Sequence, residues 1–186
     1  MNEKKSDHCF YNIALFPEDR QLIDDCVHFA QSNCADSAEQ YLLGESAWPH
    51  ITLCQFQAAP ALSTEVWSKV VEFESDPVSI QFQQIYIMAA RPEIYVEKYY
   101  VGLSVKPSPR LIKLQVDVFE QLLTLGINSL TSTENYFPHL TWALCHGQKP
   151  TITHVPPEKL WQEPHLFRVS LGRSDEHGVY HERLFP

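Results

Sequence analysis

The sequence predicts an α+β fold whose two halves repeat the same order of elements. The segment 48–52, Trp-Pro-His-Ile-Thr, returns in the second half of the chain as 137–141, Phe-Pro-His-Leu-Thr. In each half a predicted strand and a predicted helix precede this segment, and further strand follows it. The repetition lies in the order of elements and not in a fixed sequence period, so it predicts a duplicated architecture.

Each copy of the segment predicts a strand with one polar and one apolar face. Successive side chains of a strand point to opposite faces. The histidine and the threonine of each copy therefore share a face, while Ile51 and Leu140 point the other way. A proline before each histidine suits the first residue of a strand. The polar pairs are His50 with Thr52, and His139 with Thr141.

The helices are predicted from capping residues and apolar periodicity. The first is expected to start at 17–19, where acidic residues favour a first turn. Ser63 is expected to cap a second helix that runs to about residue 74. Ser108 and Pro109 fit the cap and the first position of a third helix, which Gly126 would end. A short fourth helix is expected at 158–161.

The strands outside the motifs are predicted from runs rich in β-branched and aromatic residues. Two long antiparallel strands are expected to bridge the halves, and two more are expected to form a hairpin near the end of the chain. The predicted strands are 10–16, the bridging pair 78–90 and 93–106, and the hairpin 166–172 with 179–185. The predicted loops are 33–47, 128–136 and 147–157.

The composition is that of a single globular domain. The chain has 186 residues, of which 44% are hydrophobic. A domain of this size buries enough surface to fold without a stabilising disulfide or metal ion. No run of about 18 apolar residues indicates a membrane span, and residues 1–7 lack the apolar core of a signal peptide. The five cysteines form no Cys-x-x-Cys pair. We expect reduced thiols and a cytoplasmic location.

The net charge of −9 is unevenly placed along the chain. Residues 1–76 hold 4 Lys and Arg against 13 Asp and Glu, whereas the remainder holds 10 of each. An acidic first half repels a long polyanion, whose binding depends on neutralising many phosphates. We therefore expect a small phosphate ligand or an RNA end as the partner, with no membrane partner, and a monomer.

The paired His-x-Thr motifs, each after an aromatic residue and a proline, resemble those of the 2H phosphoesterase superfamily. That superfamily includes bacterial 2′-5′ RNA ligase-like proteins and cyclic phosphodiesterases. The resemblance implies a bilobal α+β fold with pseudo-twofold duplicated antiparallel sheets, helices packed outside and a central cleft where the motifs face each other. It implies one bilobal domain, 1–186, with lobes of roughly 1–90 and 91–186 that can exchange strands.

The two motifs supply the groups that open a cyclic phosphodiester. Histidine can give or take a proton near neutral pH, and threonine hydroxyls can donate to the nonbridging oxygens. By analogy with the relatives, His139 is expected to activate water and His50 to act as the acid. We expect hydrolysis of a 2′,3′-cyclic phosphate, to the 2′-phosphate, with no metal and no other cofactor.

Further residues are expected to bind the substrate. Aromatic side chains can stack on a base. Phe56 is the strongest candidate, because alternation along a strand would put it on the same face as His50 and Thr52. The expected substrate-binding residues are Phe56, Tyr11, Tyr136 and Arg91. Other basic candidates for a second phosphate are Lys98, Lys106, Arg168 and Arg173.

Three alternatives stay open. The same site could join or cleave 2′-5′ RNA linkages, although 143–145, Ala-Leu-Cys, lacks the basic residue that RNA ligase-like relatives commonly carry there. The chain could instead be a non-catalytic module that binds phosphate or a nucleotide. His177 and His181 have the spacing of a helical metal pair, but Gly178 favours a hairpin and no glutamate completes a zinc motif.

Overall fold

The computed structural model describes residues 8–72, 76–90 and 96–186, and in these ranges the chain has the predicted α+β class. The strands are β1 (Cys9–Pro17), β2 (Ala38–Leu42), β3 (Ile51–Ala58), β4 (Val78–Ile80), β5 (Phe82–Ala89), β6 (Lys98–Val105), β7 (His139–His146), β8 (His165–Ser174) and β9 (Tyr180–Phe185). The helices are α1 (Arg20–Cys34), α2 (Ser63–Val71), α3 (Pro109–Thr124) and α4 (Lys159–Gln162).

The strands of the described ranges form one antiparallel sheet of nine strands. Its path is β4-β8-β1-β3-β7-β6-β5, with β2 beside β7 and β9 beside β8. The two motif strands, β3 and β7, are neighbours at the middle of this path. They share a single residue pair, Ile51 with Leu140, and this pair joins the two halves of the sheet.

Strands are exchanged between the two halves of the chain. The hairpin of β8 and β9, from the second half, is attached to β1. In the other direction, β2 pairs with β7 and β5 pairs with β6. The bridging role predicted for 78–90 and 93–106 is confirmed for the first range only. The range 78–90 is divided into β4, which pairs with β8, and β5, which pairs with β6. Strand β6 lies between β5 and β7 and does not bridge the halves.

The helices cover the apolar face of the sheet. On α1, Phe29 packs against Trp142 of β7, with ring centroids 6.1 Å apart. On α3, the buried Gln115 side chain donates to the Leu53 carbonyl of β3. The motif strands therefore bury one face against helices and leave the other face to the site. Within the described residues, no helix is long and apolar enough to cross a membrane.

The helix ends follow the predictions in part. Ser108 caps α3 by accepting from the Leu111 amide at 3.2 Å, as predicted. Asp19 caps α1, while Pro17 still belongs to β1. The prediction for Ser63 is wrong. Its hydroxyl donates to the Pro60 carbonyl and closes a short 3-10 turn instead of capping α2.

One strand was not predicted. β2 lies inside the range 33–47, which was expected to be a loop. Its sequence, Ala-Glu-Gln-Tyr-Leu, has no apolar alternation, and Gln40 has a φ of 70°, which breaks the regular pairing with β7. The strand is therefore fixed by its partner and not by its own propensity.

Candidate active site

A β-bulge follows the threonine of each motif. On β3 the extra residue is Leu53, which is skipped in the pairing with β1. On β7 the extra residue is Trp142, which is skipped in the pairing with β6. A bulge lets two consecutive residues face the same side of a sheet and bends the strand. The two motif strands thus bend at equivalent points, immediately after Thr52 and Thr141.

The shared pair of Ile51 and Leu140 brings the two motifs together. Both side chains are fully buried on the helix-covered face. Because each lies between the histidine and the threonine of its motif, the four polar side chains flank this pair on the opposite face. Antiparallel direction then sets His50 on the side of Thr141, and Thr52 on the side of His139.

The two imidazoles are held in the same way. Nδ1 of His50 lies 2.7 Å from the Trp48 carbonyl, and Nδ1 of His139 lies 2.6 Å from the Phe137 carbonyl. A carbonyl oxygen only accepts, so Nδ1 carries the proton and donates in both rings. Each ring therefore has its Nε2 left for chemistry.

Burial lowers the pKa of both histidines. Burial, with a smaller contribution from the neighbouring His139, lowers the pKa of His50 to about 4. The hydrogen bond to the Trp48 carbonyl opposes this shift. The pKa of His139 is lowered mainly by burial, and only the Phe137 carbonyl opposes it. Without a ligand, both rings are neutral at pH 7.

Each threonine hydroxyl has one fixed partner outside the motifs. Asn12, which is fully buried, donates to Thr52 Oγ1 at 2.9 Å and to the Gly178 carbonyl at 3.3 Å. Tyr86 forms a 2.8 Å hydrogen bond with Thr141 Oγ1. Since an amide nitrogen only donates, the hydroxyl of Thr52 accepts from Asn12 and keeps its own proton for another acceptor.

The backbone of each motif is braced by a tyrosine that precedes the other motif. The hydroxyl of Tyr136 donates to the Thr52 carbonyl at 2.9 Å. In the same way, the hydroxyl of Tyr41 donates to the Thr141 carbonyl at 3.0 Å. Each of these two hydrogen bonds connects one half of the chain to the motif of the other half, and they lie on either side of the Ile51–Leu140 pair. Together they fix where the two threonines lie relative to each other.

Aromatic rings pack on both histidines. Phe16 stacks on His50, with ring centroids 5.9 Å apart and planes within 21°. Tyr180 contacts the same imidazole at 5.5 Å. In the second motif, Phe137 stacks on His139 at 5.3 Å, also within 21°. These contacts restrict each ring to one orientation, which favours a preorganised site.

Two of the predicted substrate-binding aromatics are not at the site. Phe56 and Tyr11 are buried in the core and stack on each other, with ring centroids 5.5 Å apart. The prediction that Phe56 shares a face with His50 and Thr52 was wrong. The bulge at Leu53 moves every later residue of β3 to the face opposite the one that regular alternation predicts. Gln55, not Phe56, therefore shares the face of Thr52, and its amide donates to the Asp175 carbonyl at 2.9 Å.

The other predicted binding residues have different outcomes. Tyr136 lies at the site, but its hydroxyl contacts the backbone of Thr52. Arg91 lies outside the described residues. Lys106 is exposed. Three further basic candidates are paired with carboxylates: Lys98 with Glu39, Arg168 with Glu18, and Arg173 with Glu182.

The two histidines of the possible metal pair do not lie on a helix: His177 is in the turn between β8 and β9, and His181 is on β9. His181 sits 3.5 Å from Asp175, and His177 sits 3.5 Å from Glu176. Among the described residues, no group of three or more His, Cys, Asp or Glu side chains could hold a metal ion.

The lowered pKa of His50 predicts a loss of stability in mild acid. Below about pH 6.5 the unfolded chain binds a proton at this residue, whereas the folded chain does so only near pH 4. Folding therefore loses stability as the pH falls through this window, by about 3 kcal/mol in total. Urea unfolding at pH 7.5 and pH 4.5 should show that the free energy of unfolding falls less for His50→Asn than for the wild type as the pH is lowered. If the difference in free energy between the two proteins were the same at both pH values, the lowered pKa of His50 would be contradicted.

Comparison with known proteins shows the fold. No protein-family model matches the sequence, and no curated protein matches it. Among solved structures, LigT of E. coli in its apo form is similar with a TM-score of 0.67 and 14% identity, over 96% of both chains. LigT complexed with 3′-AMP gives a TM-score of 0.65 at 14% identity, over 96% of this chain and 94% of that one. A structure described as a phosphoesterase gives 0.64 at 14% identity, over 95% of both chains. The chain has the fold of LigT, which is the fold that the paired motifs predicted.

Proposed function

We propose that this chain is a 2H phosphoesterase that hydrolyses a 2′,3′-cyclic phosphate, on a nucleotide or an RNA end, by acid-base catalysis with two histidines. The observation that carries the proposal is the Ile51–Leu140 pair, which sets both His-x-Thr motifs on one face of the sheet. A phosphate between the motifs would meet one imidazole Nε2 from each side. The likeness to LigT and to a phosphoesterase supports the same class of reaction.

In the proposed reaction, a water oxygen attacks phosphorus and the bond to the ribose 3′-oxygen breaks. His139 takes the proton from the water, and His50 gives a proton to the departing oxygen, so that a 2′-phosphate and a 3′-hydroxyl result. Thr52 and Thr141 donate to the nonbridging oxygens, where negative charge increases in the transition state. All the proton transfers are made by residues of this chain.

The division of roles between the two rings rests on the analogy with the relatives. The Nδ1 atoms of both rings donate to backbone carbonyls, His50 to that of Trp48 and His139 to that of Phe137, and both rings keep Nε2 for the substrate. When an anionic phosphate binds beside His50, the pKa of this ring rises and it can take up the proton that a general acid needs. The neutral His139 then accepts the proton of the attacking water.

The test is turnover of adenosine 2′,3′-cyclic phosphate in the presence of EDTA. We expect hydrolysis to the 2′-monophosphate, identified by phosphorus NMR, with the same rate after chelation. Loss of activity with EDTA and recovery with zinc or magnesium would contradict the proposal. Binding without turnover would favour a non-catalytic phosphate module. Turnover of 2′-5′-linked RNA alone, with RNA binding that weakens steeply with salt, would favour the RNA-processing alternative.

The hydrogen bond between Asn12 and Thr52 gives a separate prediction. If Asn12 acts by directing the Thr52 hydroxyl to the phosphate, Asn12→Ala should lower kcat/KM about 10-fold. Without Asn12 the hydroxyl is no longer oriented, and its hydrogen bond to the charged phosphate is weakened. Combined with Thr52→Ala, the same change should cost almost nothing more. Tyr86→Phe, which removes the equivalent partner of Thr141, should remain additive with Thr52→Ala. Full additivity between Asn12 and Thr52 would show that Asn12 acts elsewhere.

A further inference from the structure

Arg183 on β9 lies on the same face of the sheet as the motifs. It pairs with Gly172 of β8, which in turn pairs with Asn12 of β1. Directly opposed residues share a face, and Asn12 is the residue that holds Thr52 on the site face. The sequence predicts the hairpin of β8 and β9 but not its attachment to β1, so it does not place Arg183 near the motifs.

The guanidinium group is held close to His50 by an aromatic ring. Its central carbon lies 5.5 Å from the centroid of the Phe16 ring, which stacks on His50 at 5.9 Å. These two distances place the guanidinium no further than about 11 Å from the centre of the His50 ring. Nε donates to Ser170 Oγ at 3.1 Å, so the side chain is fixed at its inner end.

Within the described ranges, no Asp or Glu lies at ion-pair distance from the outer nitrogens of Arg183. By contrast, Arg173 on the neighbouring strand β8, next to the Gly172 that pairs with Arg183, forms an ion pair with Glu182 at 3.5 Å. A planar guanidinium fixed at one end and free at the other suits bidentate binding of a phosphate. The chain also lacks a basic residue directly after the second motif.

We propose that Arg183 binds a second phosphate of the substrate, so that the preferred substrate is a 2′,3′-cyclic phosphate that also carries a 5′-phosphate. This inference rests on the proposed function for the position of the cyclic phosphate. The 5′-phosphate extends from the same ribose, and the upper bound on the distance between His50 and Arg183 keeps both within the span of one nucleotide. A single cation also agrees with the acidic first half of the chain, which disfavours extended polyanions.

The test compares adenosine 2′,3′-cyclic phosphate with its 5′-phosphorylated form. We expect the wild type to prefer the phosphorylated substrate by about 10- to 100-fold in kcat/KM, the range for a hydrogen-bonded charge pair. Arg183→Gln should bring the ratio of the two values close to one, and Arg183→Lys should retain part of it. Arg173→Gln is the matched control, because it removes a positive charge from the same hairpin, and it should keep the wild-type ratio.

A binding measurement separates failure of this inference from failure of the proposed function. Calorimetry with adenosine 2′-monophosphate and adenosine 2′,5′-bisphosphate should give the same preference for the second phosphate in the wild type, and its loss in Arg183→Gln. If neither cyclic substrate is turned over, the proposed function fails, but this binding ratio still tests Arg183. Equal affinities in the wild type, or a preference that survives Arg183→Gln, would overturn the inference.

Discussion

Replacing His139 or His50 with alanine is expected to lower kcat/KM for a 2′,3′-cyclic nucleotide by about 10²- to 10⁴-fold, the usual range for a positioned general acid or base. Both side chains have Nδ1 bound to a backbone carbonyl and Nε2 left for the substrate. Each is also the only histidine in its motif, so no neighbour can replace it. Thr52→Ala and Thr141→Ala should cost less, since each removes one hydrogen bond to charge.

The two histidine variants should respond differently to the leaving group. A phosphodiester with a nitrophenolate leaving group needs no proton from an acid, so it should partly restore activity to His50→Ala but not to His139→Ala. The matched control is His146→Ala, because His146 is exposed at the far end of the same strand β7, and its activity should stay within about twofold of the wild type. Equal rescue of both variants would contradict the assigned roles.

Gly102→Ala is expected to destabilise the fold by about 3 kcal/mol and to remove most of the activity. Gly102 lies on β6 opposite Thr141, at the bulge of the second motif. A Cβ at this position would overlap the Leu140 carbonyl and come within 2.9 Å of the Thr141 Cα. Both contacts are backbone atoms, which cannot rotate away. β6 and β7 would have to separate, and Thr141 would move with β7.

A second glycine provides the control for Gly102→Ala. A Cβ on Gly44 would meet only the end of the Gln31 side chain, at 3.5 Å, which is an ordinary van der Waals distance. Gly44→Ala should therefore change the free energy of unfolding by less than about 0.5 kcal/mol. Urea unfolding of both variants, followed by kinetics on the folded fraction, separates stability from activity. A Gly102→Ala variant with wild-type stability and rate would contradict the role of this close approach.

The motifs and the fold were predictable because each copy carries its own local signals. Proline before the histidine marks the start of the strand, and the alternation of polar and apolar residues marks its faces. The positions of Ile51 and Leu140 in the core follow from that alternation. The third helix was predicted for similar reasons, since Ser108 and Pro109 define its start.

The predictions failed where tertiary structure overrides a local pattern. Regular alternation from Thr52 would place Phe56 on the face of the site. The bulge at Leu53 turns it to the opposite face, and no residue in that stretch signals a bulge. Asn12 meets Thr52 because β1 pairs with β3, and Arg183 comes near the motifs because β8 connects its strand β9 to β1. Their relation to His50 depends on strand order, which a single sequence does not encode locally.

A crystal structure with bound adenosine 2′-monophosphate would show whether both His-x-Thr motifs act on one phosphate. We expect one phosphate whose oxygens lie about 2.6–3.2 Å from Nε2 of His50 and from Nε2 of His139. The hydroxyls of Thr52 and Thr141 should donate to the same group. A phosphate that contacts one motif only, or that lies away from the Ile51–Leu140 pair, would contradict catalysis by the two motifs together.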